Sequence, residues 1–427
     1  MKTILFSIFL CLCQYIPAQK ILLTNGYLHA GNGEVIETAL IGIEKNEIVL
    51  IKNSLAYPYE PTEWDTVIDL TGHHIYPGFI APNSTLGLTE IDAVRATRDY
   101  HEVGHYNPHV RSQIAYNVES KVISTVKTNG VLLSQATPRG GVISGTSSVM
   151  ATDGWNWEDA TIRADDGIHV NWPDAIQSDY EIEQIVKKKS ADDYVNQTSE
   201  LYQFFELAKT YAYSGMDKIN DTRLEAMMEC FKGEKRVYFH ANELQQLIDV
   251  IEFAQHFELP YPVIVGGYDS YLIGQRLIDA DIPIMLLRPH SLPLSEDDPI
   301  DLPYQLPSLL QRQGIKFCIQ NEGDMEAMNA RNLPFMAGTA MAYGLTEEEA
   351  VASISLNTAQ ILGVDGKYGS IELGKSATLF ASKGSALDMK TNNVTFIMIN
   401  GEMSATENFQ NQLYQKYRNK YLRSKSK

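Results

Sequence analysis

Ile75-Tyr76-Pro77-Gly78-Phe79-Ile80 is the stretch at which the texture of this chain changes, and the fold follows from what lies on either side of it. On its N-terminal side, short apolar runs alternate with turn residues: Ile21-Leu22-Leu23, Ala39-Leu40-Ile41-Gly42-Ile43, Ile48-Val49-Leu50-Ile51 and Val67-Ile68-Asp69-Leu70. Runs of that length separated by Asn-Gly and Gly-Asn-Gly read as antiparallel strands. The same texture returns in Gly374–Ala381 and Val394–Gly401. The two ends of the chain are therefore expected to meet in one small β-sandwich.

From Ile75 to Gly363 apolar runs alternate instead with longer amphipathic stretches, which is the pattern of βα units. Eight runs read as strands: Ile75–Ile80, Val131–Ala136, Val142–Met150, Ile168–Trp172, Val237–His240, Pro262–Val265, Ile282–Leu287 and Ile315–Ile319. Helices are expected over Glu183–Lys189, Glu200–Tyr213, Leu244–Phe257, Glu347–Ser355 and Thr358–Leu362. The fold class is thus α/β, a (β/α)8 TIM-like barrel with a small β-sandwich domain built from N- and C-terminal segments. Its active site would lie where the strands end. The expected division is a signal peptide over 1–19, the first part of the sandwich over 20–74, the barrel over 75–363, the second part of the sandwich over 364–404, and a C-terminal helix with a basic tail over 405–427. In that last segment Phe409, Leu413, Tyr417 and Tyr421 recur every four residues, so a helix docked by one apolar stripe is expected. Its lysines and arginines suit an anionic surface or a solvated face.

With 35 basic against 53 acidic side chains the chain carries −18, and 44% of its residues are hydrophobic. Disorder is excluded by the second figure, and nucleic acid as a main partner by the first. Lys2, the apolar run Ile4–Cys13 and the small residues before Gln19 have the form of a secretory signal peptide, too short to span a bilayer. Cleavage near Ala18 or Gln19 would leave an exported protein, periplasmic or extracellular, with only Cys230 and Cys318. Those two are read as buried small hydrophobes, with one bridge as the alternative. A small-molecule substrate or ligand is the expected partner, an integral membrane location is not expected, and an oligomer is compatible with the sequence.

The opening phrase at Ile75–Ile80, together with Gly369-Ser370-Ile371-Glu372-Leu373-Gly374-Lys375-Ser376-Ala377-Thr378-Leu379 and Leu356–Gly363 before it, resembles the amidohydrolase superfamily on its imidazolonepropionase-like branch. The resemblance implies metal-assisted hydrolysis of amide or amidine C–N bonds, in which one or two divalent ions such as zinc activate water. It also implies where the ligands should stand. The first-strand histidine pair falls on Asn83 and Thr85, and the sixth-strand histidine on Gly266, none of which carries an imidazole. The fifth-strand histidine is kept as His240. The catalytic aspartate maps to Asn321, with Glu322 and Asp324 close by. His240, as base or single metal ligand, and Asn321, Glu322 or Asp324, as the proton-shuttle position, are the catalytic candidates. The site is degenerate by this reading. A hydrolase of non-peptide C–N bonds with a rebuilt site and a catalytically inactive barrel that binds a small molecule or a protein are both carried forward.

Other groups suit substrate recognition. Arg95 and Arg98 follow the first strand and can fork onto a carboxylate. Trp155 and Trp157, near a strand end, can make a stacking platform or fill the core. Arg288 and His290 follow the seventh strand. Arg139-Gly140-Gly141 allows close backbone approach to a ligand, or simply a tight turn. His101-Glu102-Val103-Gly104-His105 matches the zinc-peptidase pattern, which needs a continuous helix. Gly104 and Pro108 argue for a loop instead, from which His101, His105 and His109 could gather over the barrel or stay solvated.

Overall fold

A computed structural model describes residues 19–181, 184–190, 193–214 and 220–425, so the expected signal peptide, Gln19 apart, lies outside the described residues. The strands in chain order are β1 (Lys20–His29), β2 (Val35–Glu44), β3 (Glu47–Asn53), β4 (Thr66–Asp69), β5 (His74–Pro77), β6 (Phe79–Ser84), β7 (Val131–Ala136), β8 (Ile143–Ala151), β9 (Thr161–Asn171), β10 (Ile176–Glu181), β11 (Gln184–Ser190), β12 (Arg236–Ala241), β13 (Pro262–Gly266), β14 (Ile284–Leu286), β15 (Phe317–Ile319), β16 (Leu379–Ser382), β17 (Val394–Ile399) and β18 (Glu402–Met403). The chain ends hydrogen-bond into one sheet in the order β18-β17-β16-β5-β1-β2-β3, with β4 alongside β1. Ile21, Leu23, Ile41, Ile75, Ala377, Leu379 and Met398 give it a core of its own. The middle forms a second sheet of eight strands, β15-β14-β13-β12-β9-β8-β7-β6, curled into a nearly closed barrel. Its edge strands meet through side chains: Asn83 Nδ2 donates to Gln320 Oε1 at 2.7 Å.

All eight expected barrel runs are strands, but two differ from expectation in ways that matter. Ile75–Ile80 is not one strand: it divides at Gly78 between the terminal sheet and the barrel. Gly78 N donates to Thr378 O and Phe79 N to Gly130 O, so the backbone changes partners within one residue. A Cβ at Gly78 would stand 2.9 Å from the Leu132 Cβ, and glycine is what lets the two units meet there. The third strand, β8, runs antiparallel to both neighbours. Residues 137–142 and 152–160 are all that connect it, too few for the dozen or more residues of a parallel crossover. Gly140 and Gly141, at φ +86° and +67°, make the first of these turns.

The helix expected over Glu183–Lys189 is instead β11, paired antiparallel with β10 so that Asp179 stands opposite Lys187. The β-branched pair Ile185-Val186 favours extended backbone. The helices over Tyr194–Tyr213, Leu244–Phe257, Glu347–Ser353 and Leu356–Leu362 stand where periodicity placed them, the first starting earlier than Glu200. The C-terminal helix forms over Phe409–Lys425, but most of its stripe is not covered: Phe409, Tyr417 and Tyr421 are exposed and Leu413 is partly buried. Its first turn is held by Asn408 Nδ2 to Thr128 Oγ1 and Thr125 Oγ1 to Gln410 Oε1, each at 2.9 Å, with Lys121 Nζ 4.6 Å from the Phe409 ring centre. Truncation after Asn408 is expected to change the unfolding free energy by less than about 1 kcal/mol, read by urea denaturation. Cys230 and Cys318 are buried and unpaired. Among the described residues no helix is long and apolar enough to cross a membrane.

Candidate functional site

Because the other seven barrel strands run parallel, their C-terminal ends open on one face, and there the barrel interior turns polar. Alternate residues of a strand share a face, so Tyr238 and His240 on β12 point the same way, alongside His169 of β9. The His169 and Tyr238 rings stack with centroids 4.5 Å apart. Next to them Gln135 of β7, Ser147 of β8 and Asp166 of β9 are fully buried. Gly167 makes this possible, since a Cβ there would lie 2.4 Å from the Tyr238 ring.

These side chains form one line of hydrogen bonds. His240 Nε2 meets His169 Nδ1 at 2.9 Å, and His169 Nε2 meets Ser147 Oγ at 2.9 Å. Ser147 Oγ donates to Asp166 Oδ1 at 2.7 Å, while Tyr238 OH and Gln135 Nε2 donate to Asp166 Oδ2 at 2.6 and 3.0 Å. The tautomers follow from proton counting: Ser147 has one O–H and gives it to the carboxylate, so His169 Nε2 must donate to Ser147. His169 Nδ1 is then the acceptor and His240 Nε2 the donor. His240 Nδ1, the free base of the chain, has no hydrogen-bond partner among the described residues. Burial holds His240 down to about 4, with Arg139 pushing the same way and Glu322 opposing, and it holds His169 well below the usual imidazole range. Burial also raises the Asp166 carboxyl, against its hydrogen bonds from Tyr238, Ser147 and Gln135.

Arg139, in the turn before β8, reaches Asn83, one of the two positions at which the resemblance would put first-strand ligands. Its Nη1 donates to Asn83 Oδ1 and its Nη2 to Asn83 O, both at 2.7 Å. Asn83 itself sits at φ +49°, a left-handed conformation that asparagine tolerates. Asn83 N donates to Gln135 Oε1 at 2.9 Å. Thr85 N and Oγ1 donate to Glu326 Oε2 at 2.6 and 2.9 Å.

The candidates from sequence divide accordingly. His240 stands at the strand end as expected. Asn321 is buried, its Nδ2 donating to Glu326 O at 2.9 Å within its own loop. Glu322 and Asp324 line a cavity of about 360 Å³ with Arg98, Arg139 and Glu326. Arg95 lies a step outward, lining a neighbouring cavity with Arg98, His101 and His105. Arg288 packs its guanidinium over Gly323, and His290 Nε2 meets Thr339 Oγ1 at 2.7 Å. Trp155 is a correction: it is 92% exposed and lines a cavity with Asn400 and Glu402 beside the terminal sheet. It does lie near a strand end, but β8 is antiparallel to its neighbours, so that end opens on the face opposite the mouth. His101-Glu102-Val103-Gly104-His105 is a loop, without the helix that a peptidase pair requires. His101 and His109 share one cavity and His101 and His105 another.

The family's metal can be tested against these donors. Among the described residues no group of three or more His, Cys, Asp or Glu side chains could hold an ion. Catalytic zinc takes three protein ligands, and of the family positions only His240 is a donor of that kind. Gly266 could not be restored without displacement, because a Cβ there would fall 2.4 Å from Asn242 Oδ1 at a backbone φ of +104°. The guanidinium of Arg139 moreover already supplies a fixed positive charge beside His240. The residues present do not fit the binuclear metal site. Replacing Gly266 with His is expected to cost about 1–3 kcal/mol in backbone strain, seen as a lowered denaturation midpoint, without a gain in zinc bound per chain by elemental analysis.

A nearly closed α/β barrel with its polar site at the strand ends defines a class of protein, and comparison narrows it. The model of the amidohydrolase family matches residues 304–404. Imidazolonepropionase of Pseudomonas aeruginosa (strain UCBPP-PA14) is 38% identical over 82 residues, 18% of this chain and 20% of that protein. An amidohydrolase from Thermotoga maritima MSB8 superposes with a TM-score of 0.72 at 21% identity, over 90% of this chain and 99% of that one. A zinc-bound adenosine deaminase from Xanthomonas campestris gives 0.54 at 13% identity, over 96% and 99%. At these identities the solved structures share the fold, and the matched sequence spans a fifth of the curated relative. The resemblance to the amidohydrolase superfamily read from the sequence holds, and of the positions where it would place metal ligands only His240 carries an imidazole.

Sequence reasoning missed His169, Asp166, Ser147, Gln135, Arg139 as a site residue, and Glu326. A signal existed for one of them: His169 lies between Ile168 and Val170 in a run read as a barrel strand, and a polar side chain buried there needs a partner.

Proposed function

We propose that this chain is an exported hydrolase of non-peptide C–N bonds in a small-molecule substrate, working by acid–base chemistry from the protein's own side chains at the barrel mouth. The observation that carries this reading is the proton path from His240 through His169 and Ser147 to Asp166. In hydrolysis, water adds to the substrate carbonyl carbon and loses a proton to His240 Nδ1. The charge passes inward by one-bond shifts: His240 Nε2–H to His169, His169 Nε2–H to Ser147, Ser147 O–H to Asp166. Asp166 ends neutral, the form that its burial favours. The same shifts then run in reverse, Asp166 returning its proton to Ser147 and His240 Nδ1–H delivering one to the leaving nitrogen, so that the C–N bond breaks to an acid and a neutral amine and Asp166 is a carboxylate again. A sink that takes the proton away from the mouth keeps His240 available as base.

The test is a panel of lactams, ureides, amidines and N-acyl amino acids, followed by amine or ammonia release. Turnover is expected in the wild type and a loss of about 100-fold or more in His240→Asn. A second reading, a binding barrel without turnover, is favoured by the replacement of family ligands at Asn83, Thr85 and Gly266. Panel members that stabilise the protein against heat but are never cleaved would establish it in place of the first.

A further inference from the structure

The C-terminal helix carries a charge opposite to that of the rest of the chain. Residues 409–427 hold six lysines and arginines and no acid, so the residues before them carry −24 against the −18 of the whole. On this helix Tyr414, Tyr417 and Tyr421 fall on one face by their spacing, with Lys416 and Lys420 along one margin and Arg418 along the other. Tyr414 and Tyr417 are each more than half exposed, and Lys416, Arg418 and Lys420 are exposed beside them. Near the root of the helix, on the face opposite the barrel mouth, lies a cavity of about 510 Å³ lined by Asp153, Trp155, Asp159, Glu402 and Met403. Trp155 and Met403 stand exposed there. Asp153 is taken by Lys127 and by the Ser404 hydroxyl, which leaves Asp159 and Glu402, both exposed, open to a cation.

We infer that two copies of this chain pair about a two-fold axis by exchanging these helices, the tyrosine stripe of each covering Trp155 and Met403 of the other while Lys416, Arg418 and Lys420 face Asp159 and Glu402. Such an exchange is isologous, since helix and cavity of one copy meet cavity and helix of the second. The short link between them supports it: Ser404 lines the cavity and the helix starts at Phe409, so two roots set side by side put each helix within reach of the opposite cavity. A helix of 17 residues is about 25 Å long. A stripe of that length and about 10 Å wide, covered twice by the axis, buries on the order of 1,000 Å² in all, the lower end for a specific interface. Charge selects a second copy over an anionic lipid surface. A body at −24 attracts the basic helix of another copy, whereas an anionic bilayer attracts the helix but repels the body that carries it. Tyrosines in place of leucines or isoleucines also leave the helix little apolar area to insert among lipids.

Sedimentation velocity of the full chain from about 1 to about 100 μM tests the exchange, a range that brackets the micromolar dissociation constant expected of so small an interface. At submicromolar protein the copies are apart, so the full chain and one ended at Asn408 unfold alike. The expected result is a dimer at the upper concentrations that the chain ended at Asn408 does not form. Reversing the cavity charges in D159K/E402K, or the helix charges in K416E/R418E, should each weaken the dimer by about tenfold or more. Combining all four substitutions should restore association above that of either pair. The helix pair, outside both hydrophobic cores, keeps the comparison open if D159K/E402K fails to fold. A full chain that stays monomeric at about 100 μM, a dimer that persists without the helix, or a fourfold variant no tighter than its weaker parent overturns the exchange. Binding of a monomeric full chain to phosphatidylglycerol vesicles, lost when the chain ends at Asn408, would give the helix to a lipid surface and overturn it equally.

Discussion

Replacing Asp166 with Ala is expected to remove on the order of 3–5 kcal/mol of unfolding free energy, the range for leaving a buried polar network without its centre. Asp166 is fully buried, and Tyr238, Ser147 and Gln135 all donate to it. The fallbacks are longer: Ser147 can turn to Gly167 O and Gln135 Nε2 to Ser147 Oγ, each at 3.2 Å, while Tyr238 OH is left without its carboxylate acceptor. Asp166→Asn separates the charge from the contacts, because its amide keeps an acceptor for Tyr238 while its NH2 faces the Ser147 hydroxyl. It should cost less stability than Ala but interrupt the proton path as completely. Urea denaturation of both variants measures the first effect, and hydrolysis of whichever panel member the wild type cleaves measures the second. A stability loss in Ala as small as that of a surface substitution, within about 0.5 kcal/mol, would mean that water or relaxation replaces the carboxylate. The barrel interior would then not be the rigid polar core drawn above.

That core explains why the fold was legible in this sequence and the site only in part. The eight barrel strands were found because their outward faces are apolar whatever the chemistry inside: Val237, Phe239 and Ala241 are buried on β12 irrespective of His240. Strand direction was not legible, because an apolar run has the same composition read either way. Connection length carried that information: residues 137–142 are too few for a crossover. From composition alone the sequence does not show which end of the barrel Trp155 stands at. His240 was legible through its match to a family position. Its partners were not, because the path to Asp166 is assembled from three strands that are neighbours in space but spread from Ser147 to His240 in sequence. Glu326 escaped because the position that should hold an acid is Asn321, and the acid that reaches the mouth comes from the helix that follows the loop. The undocked C-terminal helix shows the opposite limit. Periodicity at i, i+4 reports that a helix has an apolar face, and nothing in it reports whether the fold supplies a surface to cover that face.

The same burial that makes His240 a free base sets how the protein should respond to acid. A histidine is half protonated near 6.5 in an unfolded chain, whereas His240 in the fold is held down to about 4. Between those values the unfolded state binds the proton and the folded state does not, so stability rises with pH through this window and is lost as pH falls through it. A displacement from 6.5 to about 4 corresponds to roughly 3 kcal/mol when fully expressed. His169, shifted in the same direction by burial and by the charges of His240 and Arg139, adds to the loss. Asp166 works the other way. Its folded carboxyl is raised, so it favours the fold on the acid side and offsets part of the histidine loss at the bottom of the window. Denaturant unfolding at pH 7 and again near pH 4.5 is therefore expected to show a fall on the order of 2–3 kcal/mol in the wild type. His240→Gln, which cannot take the proton, should flatten this fall while leaving the limb due to His169. An equal slope in wild type and variant would place the His240 imidazole in contact with water or a counter-charge that keeps its titration ordinary. The proton path would then lose the neutral base from which it starts.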